Sequence, residues 1–365
     1  MKKTYIIDKQ NILYFMIPII ILSKIIRYTI MYDVLVETGI GHLMLPGIVN
    51  NTDTVLKGAS DISIDFFDFF NFFNLQTYIQ FEIAVTIIFN TILVIFLSIV
   101  KTKLTILETI FLCSSIAVLN IFSFTLSKEP IQMLFFILWF LVLNSNLAYV
   151  KKIIVTVVVI LFTAMMFRSY YILAALFFVI TIILCEWLYA KFEGKQIIKV
   201  ISMLILIGVI YFVFLNVSLL LFPTEYLELI RVRLRAAGAA SDITTWIPLS
   251  NSNTLIFCAD YILIIIRMML PVELLLLGVK YIPFVIYQAI ISTYAIKNFK
   301  NLRNMDQHTK LAFYVFLAFL FTSATFEPDF GSWIRHESVF CPVFLIMTQL
   351  LKAKRKTNIK IKINL

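Results

Sequence analysis

The stretch Glu327-Pro328-Asp329-Phe330-Gly331-Ser332-Trp333-Ile334-Arg335-His336-Glu337 is a short polar island between two apolar segments near the end of the sequence. Two glutamates, an aspartate, an arginine and a histidine fall within its eleven residues. Titratable groups at the edge of a membrane are costly unless they pair with one another or serve a function. The island therefore predicts the boundary between two membrane spans, and it marks a candidate active face.

The composition is typical of a polytopic α-helical membrane protein. Of the 365 residues, 61% are hydrophobic, the mean hydropathy is +0.96, and long apolar runs recur along the whole chain. The net charge of +10 lies mostly in short segments between these runs, where basic residues set orientation, and no nucleic-acid-binding motif accompanies it. We therefore expect an all-α membrane fold and no nucleic-acid partner.

The apolar runs and the positions of Lys and Arg predict about ten transmembrane helices in a single domain, 1–365, with both termini in the cytoplasm. The predicted spans are 11–30, 79–100, 104–126, 130–149, two within 153–190, 200–222, 272–296, 308–326 and 337–351. Residues 31–77 form a first outer loop, 223–270 a large outer segment and 352–365 a basic cytoplasmic tail. The short apolar run 257–270 is interpreted as re-entrant or interfacial.

Arg168 interrupts the long apolar run 153–190 and is placed at the outer boundary of two spans. A charge in such a position costs roughly 2.5–3.5 kcal/mol on insertion scales unless it is paired or hydrated. The adjacent Tyr170 and Tyr171 are either interface anchors or hydrogen-bond partners of a sugar or phosphate. We predict that all three residues contribute to a substrate site.

Two further outer segments carry charges that suit an anionic substrate. One is Ser127-Lys128-Glu129-Pro130, ahead of the 130–149 span, in which Lys128 and Glu129 either belong to a binding site or form a simple turn at the helix start. The other lies on a predicted amphipathic helix of the large outer segment. Its guanidinium groups suit phosphate oxygens, or alternatively they contact lipid headgroups. The arginines of that helix are Arg231, Arg233 and Arg235.

Within the island, a tight turn at Gly331-Ser332 is expected to bring the charges together. His336 is the candidate general base, because an imidazole titrates near neutral pH. Asp329 or Glu337 would orient it, and Asp65 of the first outer loop is the second candidate base. The alternative is a structural network of Arg335 with Asp329 or Glu327. No cluster of metal-ligand residues is present in the sequence, so no metal site is predicted.

This plan resembles the bacterial surface-polysaccharide polymerases of the Wzy type, with some similarity to EpsG-like capsule and exopolysaccharide polymerases. Three motifs carry the resemblance together with the number of spans and the late outer segment with its arginines. They are Ser127-Lys128-Glu129-Pro130, Phe167-Arg168-Ser169-Tyr170-Tyr171 and Gly331-Ser332-Trp333-Ile334-Arg335-His336. The architecture covers the full chain, whereas the motifs cover about forty residues.

The resemblance implies a helical bundle similar to that of GT-C glycosyltransferases and a reaction on the outer face of the bacterial cytoplasmic membrane. A growing O-antigen, capsule or exopolysaccharide chain on undecaprenyl pyrophosphate would be transferred to the next lipid-linked repeat unit. The implied partners are the undecaprenyl-pyrophosphate-linked oligosaccharide, the bilayer and other polysaccharide-assembly membrane proteins. Neither a cofactor nor a metal is expected, since arginines would hold the pyrophosphate, with Arg335 among them.

Two other functions fit the sequence. A GT-C glycosyltransferase that uses a polyprenyl-phosphate sugar would place an essential acidic residue in the first outer loop, at Asp61, Asp65 or Asp68. A flippase or exporter of lipid-linked oligosaccharide would carry polar groups through the membrane midplane and show repeated halves. The charges of this chain gather at one face, which favours an enzyme over a transporter.

Overall fold

A computed structural model describes residues 6–31, 45, 59–99, 103–192, 195–221, 254–278, 281–327 and 329–348 of this protein. Arg231, Arg233 and Arg235, most of both predicted outer segments and the basic tail lie outside these described residues. Nearly all of the described elements are helices, as the composition predicts. The exception is a short antiparallel pair of strands, β1 (Ile6–Asp8) and β2 (Lys103–Thr105).

Thirteen α-helices fall within the described residues. In chain order they are α1 (Lys9–Thr29), α2 (Ala59–Phe69), α3 (Tyr78–Ser98), α4 (Ile106–Val118), α5 (Glu129–Leu143), α6 (Tyr149–Met166), α7 (Tyr171–Lys191), α8 (Gln196–Leu221), α9 (Thr254–Met269), α10 (Ile282–Asn301), α11 (Gln307–Phe326), α12 (Phe330–Ser338) and α13 (Cys341–Met347). A π-helical turn, Leu119–Ser123, extends α4. Short 3-10 helices cover Val272–Leu277 and Leu302–Asn304.

Among the described residues, five helices are long and apolar enough to cross a membrane. They are α3, α4 with its π turn, α6, α7 and α11. The protein is therefore a membrane-embedded, all-α protein. The predicted interruption at Arg168 is present, because α6 ends at Met166 and α7 begins at Tyr171.

Two predicted spans differ from the structure. Residues 272–296 do not form one helix, since a 3-10 helix ends at Gly278, whose φ of 129° is open to glycine but strained for other residues, and α10 starts afresh at Ile282. Residues 337–351 are likewise not one helix. Most of the polar island is helical, because α12 begins at Phe330, and a break at Val339 and Phe340 separates α12 from α13.

The helix α11 lies at the centre of the bundle. It packs against α7, α9 and α13, and 89% of its most apolar window is buried inside the protein, compared with 28% for α6. Lipid tails are as apolar as leucine, so average hydropathy does not distinguish a central helix from a lipid-facing one. Glu327, the first residue of the polar island, directly follows the carboxyl-terminal end of this buried helix.

A layer of aromatic rings joins three helices to the segment that follows α12. Phe319 of α11 lies 4.4 Å from Phe340 and 4.9 Å from Tyr171 of α7, measured between ring centroids. Phe136 of α5 lies 4.7 Å from the same Phe340. Such pairs contribute about 0.5–1.5 kcal/mol each beyond the area they bury. The layer therefore holds α5, α7 and α11 in place relative to the segment that follows α12.

A reciprocal amide pair connects α3 to the π turn. The Asn90 side chain donates to Asn120 Oδ1 at 2.8 Å, and Asn120 donates back to Asn90 Oδ1 at 3.0 Å. The second amide hydrogen of each goes to a backbone carbonyl four residues earlier. Polar pairs of this kind hold helices together where neither group has access to water.

Substituting one member of this pair should destabilise the protein more than substituting both. Asn120→Leu leaves the Asn90 carbonyl without its donor, which we expect to cost about 1–2 kcal/mol. The double variant Asn90→Leu/Asn120→Leu removes the orphaned partner and should recover part of this loss. Thermal unfolding in detergent would measure both effects, and a double variant whose destabilisation equals the sum of the two single ones would contradict the pairing.

Candidate functional site

Four separate segments meet at one end of the bundle and form a cluster of charged side chains. Glu129 is the first residue of α5, Arg168 lies between α6 and α7, and Glu327 follows α11. Arg335 and His336 come from α12. We call these five residues the charge cluster. Their convergence agrees with the prediction that Lys128-Glu129, Arg168 and the polar island face the same side.

The island folds as a helix because Asp329 caps it. The Asp329 side chain accepts a hydrogen bond from the Ser332 N–H at 2.7 Å, which satisfies one of the free donors of the first turn. Gly331 allows this, since an added Cβ would lie only 3.1 Å from Asp329 Oδ1. The expected tight turn at Gly331-Ser332 is thus the first turn of α12, which presents Ser332 and His336 on one face.

Glu327 holds His336 in place. Its Oε1 lies 2.7 Å from His336 Nδ1 and accepts a hydrogen bond from the Tyr170 hydroxyl at 3.1 Å. Its Oε2 accepts from Ser332 Oγ at 2.7 Å. Both carboxylate oxygens therefore have partners, and the pairing at Nδ1 leaves Nε2 as the nitrogen that faces the rest of the cluster.

Arg168 faces Nε2 of the same imidazole. One of its Nη atoms contacts His336 Nε2, and the other donates to the Tyr170 hydroxyl. Its guanidinium also lies 3.8 Å from Glu327 and 3.9 Å from Glu129. The charge predicted to be costly at this boundary is thus compensated by two carboxylates.

Glu129 is shared by the cationic side of the cluster. It is 1% exposed, and its Oε1 lies 3.1 Å from Arg335 Nε and 3.6 Å from His336 Nε2. Neither of its oxygens accepts a hydrogen bond from the described residues, so charge alone holds it to its neighbours. Two arginines and two glutamates balance one another in this cluster, with His336 between them.

The surroundings keep the imidazole neutral. Burial, followed by the charge of Arg168, lowers the pKa of His336 to about 4, although Glu327 opposes the shift. Burial acts to raise the pKa of Glu327, but His336, Arg168 and the Ser332 hydroxyl outweigh it and hold that pKa below the usual value. At neutral pH the pair is therefore a neutral imidazole beside an ionised carboxylate, with the Nε2 lone pair on the side of Arg168 and Arg335.

Lys128 stands beside the cluster and is only partly buried. Burial and the neighbouring Arg168 lower the pKa of its ammonium to about 7. No described residue forms a hydrogen bond or an ion pair with this ammonium group. Arg335, with 28% of its side chain exposed, is the most accessible member of the cluster itself. These two cations give the cluster an open, positive side.

Three predicted site residues have other places in the structure. Glu337 points to α10, where Gln288 donates to it at 3.2 Å, because consecutive helical residues face different directions. Asp329 is occupied as the helix cap, so neither of them orients His336 as expected; Glu327 does. Tyr171 is fully buried in the aromatic layer.

The second candidate base is not part of the charge cluster. Asp65 is exposed on α2, and no hydrogen bond or ion pair joins it to the cluster. The predicted arginines of the large outer segment belong to the residues that the structure leaves undescribed, so their role stays a prediction.

Two members of the site were missing from the predicted residue set. Glu327 was considered only as an ion-pair partner of Arg335, and Ser332 only as part of a turn. The signal for Ser332 was its spacing from His336, four residues away on one helix face behind a capping aspartate, whereas this spacing does not point to Glu327. Comparison with family models, curated proteins and solved structures finds no match to this chain.

The depressed pKa of His336 predicts a loss of stability in mild acid. The folded protein binds its proton only near pH 4, whereas an unperturbed histidine binds it near 6.5. The stabilisation is therefore complete above the unfolded pKa and is lost as the pH falls from there towards the folded one, by about 3 kcal/mol at most. We expect the Tm in detergent to fall between about pH 7 and pH 5, and to fall less in His336→Gln. An equal fall in both proteins would contradict this account.

Proposed function

We propose that this protein is a membrane glycosyltransferase that joins undecaprenyl-pyrophosphate-linked oligosaccharide repeat units into a surface polysaccharide on the outer face of the bacterial cytoplasmic membrane. The observation that supports this most is the convergence of Arg168, Arg335 and His336 around Glu129 at one end of a bundle of apolar helices. These groups can serve the two chemical needs of the reaction. One is to stabilise a pyrophosphate leaving group, and the other is to accept a proton from a sugar hydroxyl.

The two arginines are suited to the leaving group. The Nε atoms of Arg168 and Arg335 are buried donors without a hydrogen-bond acceptor among the described residues. Unused donors in a site of low dielectric are worth most when a negative charge develops next to them. A pyrophosphate gains charge as its bond to the anomeric carbon breaks, so these donors would bind the transition state better than the substrate.

Glu129 can give up its place at the two arginines to a pyrophosphate. Glu129 is held by charge alone, at 3.1 Å from Arg335 and 3.9 Å from Arg168. An arriving pyrophosphate carries more negative charge than a carboxylate and offers bidentate geometry to each guanidinium. It would compete with Glu129 for both arginines without leaving a buried cation unpaired at any stage. Lys128 and the exposed part of Arg335 lie on the side from which it would enter.

His336 would act as the general base once Arg168 turns away from it, because the charge of Arg168 is one cause of its low pKa. Glu327 fixes its Nδ1, so only Nε2 is free to take a proton, and Arg168 occupies that position in this structure. When Arg168 turns to the pyrophosphate, Nε2 becomes available. The acceptor hydroxyl oxygen then forms a bond to the anomeric carbon, the bond from that carbon to the pyrophosphate oxygen breaks, and the hydroxyl proton moves to His336 Nε2. Glu327 stabilises the imidazolium that results.

A lipid-linked substrate agrees with the position of the cluster. Helices around it expose large apolar side chains such as Leu138 of α5, Ile172 and Leu176 of α7, and Ile286 of α10. A polyprenyl chain would lie against surfaces of this kind while its headgroup reached the charges at the helix ends. A soluble sugar nucleotide would have no need of such a location.

Removing either arginine should stop polymerisation but leave the repeat units intact. We expect Arg168→Ala and Arg335→Ala to reduce turnover by about 100-fold to 1,000-fold, the usual cost of losing a donor to a developing anion. Single lipid-linked repeats would then accumulate in cells. The conservative Arg168→Lys should retain part of the activity, because it keeps the charge but loses the bidentate geometry.

The matched control is Arg303→Ala, since Arg303 donates to the Tyr189 carbonyl near the carboxyl end of α7, far along that helix from Arg168. Normal chain-length ladders in both cluster variants would refute the proposal. A repeat unit that lacks a sugar would indicate the GT-C glycosyltransferase instead. Intact repeats confined to the inner leaflet would indicate a flippase.

Lys128 should make substrate binding sensitive to pH. Its folded pKa of about 7 lies below the usual lysine value, so its positive charge is present below that pH and is lost as the pH rises through it. We expect the KM for a lipid-linked pyrophosphate substrate to rise between about pH 6 and pH 8, one unit on either side of this pKa. Lys128→Arg stays charged throughout and should flatten the profile. An unchanged profile in that variant would exclude Lys128 from binding.

A further inference from the structure

A second group of buried charges lies among the apolar helices, away from the charge cluster. Lys24 and Arg27 of α1 meet Glu82 of α3, with Lys24 Nζ at 2.7 Å and Arg27 Nε at 3.0 Å from the same Oε1. The side chains of Arg27 and Glu82 are each 3% exposed. We call these three residues the α1–α3 ion group. Charged side chains buried among apolar helices are energetically unfavourable, and the packing of one helix on another does not require them.

The α1–α3 ion group contacts the backbone that follows α4. Arg27 donates to the Ile121 carbonyl at 2.6 Å, and Lys24 donates to the Phe124 carbonyl at 2.7 Å. Glu82 accepts from the Thr125 hydroxyl at 2.6 Å. The carbonyls at the end of a helix lack intrahelical donors and carry partial negative charge, so cations are their natural partners. Side chains from two other helices thus fix the course of residues 119–125.

The same segment touches the charge cluster on its other side. Ser123 Oγ contacts Ser338 Oγ and lies 3.4 Å from the Arg335 carbonyl, both in α12. Lys128 and Glu129 then follow Ser123 within six residues along the chain. One short segment therefore connects the α1–α3 ion group to both halves of the site, namely the helix that carries Arg335 and His336 and the residue that pairs with both arginines.

We infer that Lys24, Arg27 and Glu82 are positioning residues for the charge cluster. They hold residues 119–128 in the backbone conformation that places Glu129 opposite Arg335. They also set the position of α12, because Ser123 contacts that helix. The inference rests on the proposed function, because its consequence is the spacing of the groups that would bind pyrophosphate. Ion pairs that only joined α1 to α3 would not need hydrogen bonds to Ile121, Phe124 and Thr125 of a third segment.

Hydrogen exchange of the purified full-length protein in detergent tests the structural part directly. Thr125→Val deletes one hydroxyl of the network, and Glu82→Gln deletes its carboxylate charge. Both should speed exchange at 119–128 and 330–338 by about tenfold, the factor expected for the loss of one hydrogen bond, with helices outside the network, such as α7 and α11, unchanged. The control Glu186→Gln removes the carboxylate of the Lys310–Glu186 ion pair, whose atoms are 3.6 Å apart near the carboxyl end of α7, and should leave both segments unchanged.

Unchanged exchange at 119–128 in Thr125→Val would overturn the inference, and so would faster exchange throughout the bundle, which indicates general destabilisation. Thr125→Val decides the matter if Glu82→Gln does not fold.

Turnover provides the second readout. A positioning role predicts that Glu82→Gln lowers kcat at least tenfold with little change in KM, and that Glu82→Asp, which retains the charge, recovers part of the loss. If Arg168→Ala abolishes polymerisation while Glu82→Gln and Thr125→Val do not affect it, the positioning role is wrong and the proposed function stands. If Arg168→Ala and Arg335→Ala both polymerise normally, the proposed function fails, and hydrogen exchange alone decides whether the ion group holds the segment.

Discussion

The shared ion pairing of Glu129 with Arg335 and Arg168 is the constraint on which the polar end of this protein depends. Glu129 is 1% exposed and would be a buried charge without its arginines, and breaking a buried pair by removing one partner costs about 3–5 kcal/mol. The start of α5, the connection between α6 and α7, and helix α12 must therefore stay within ion-pair distance of one another. The network specifies where these segments lie, even though its net contribution to stability is small.

The aromatic layer below the network explains how such a site can stay both dry and fixed. Rings from α5, α7 and the segment after α12 pack against Phe319 of α11. Burial strengthens charge interactions, and it is the largest cause of the depressed pKa of His336. The chemistry available to the imidazole is thus set by packing as much as by its charged neighbours.

The π turn at the end of α4 joins two regions that the chain order keeps apart. It redirects the backbone so that residues 119–125 pass between the α1–α3 ion group and α12. Insertions of this kind in α-helices are often found at functional sites, since they expose backbone groups that a regular helix would satisfy internally. Here the exposed carbonyls are the acceptors for Lys24 and Arg27.

The sequence by itself determined the class of the protein, the interruption at Arg168, and the meeting of Glu129, Arg168 and the island at one end, because charges in an apolar chain are confined to the ends of helices. Only the tertiary structure decided which charges pair. Glu327 and not Glu337 holds His336, Asp329 caps a helix where a turn was expected, and α11 is the central helix. In a membrane, lipid and protein interior are equally apolar, so hydropathy does not reveal which face of a helix is buried. Which residue pairs with a given charged side chain depends on which helix face is buried. The pairing is therefore fixed by packing between helices that are far apart in the sequence.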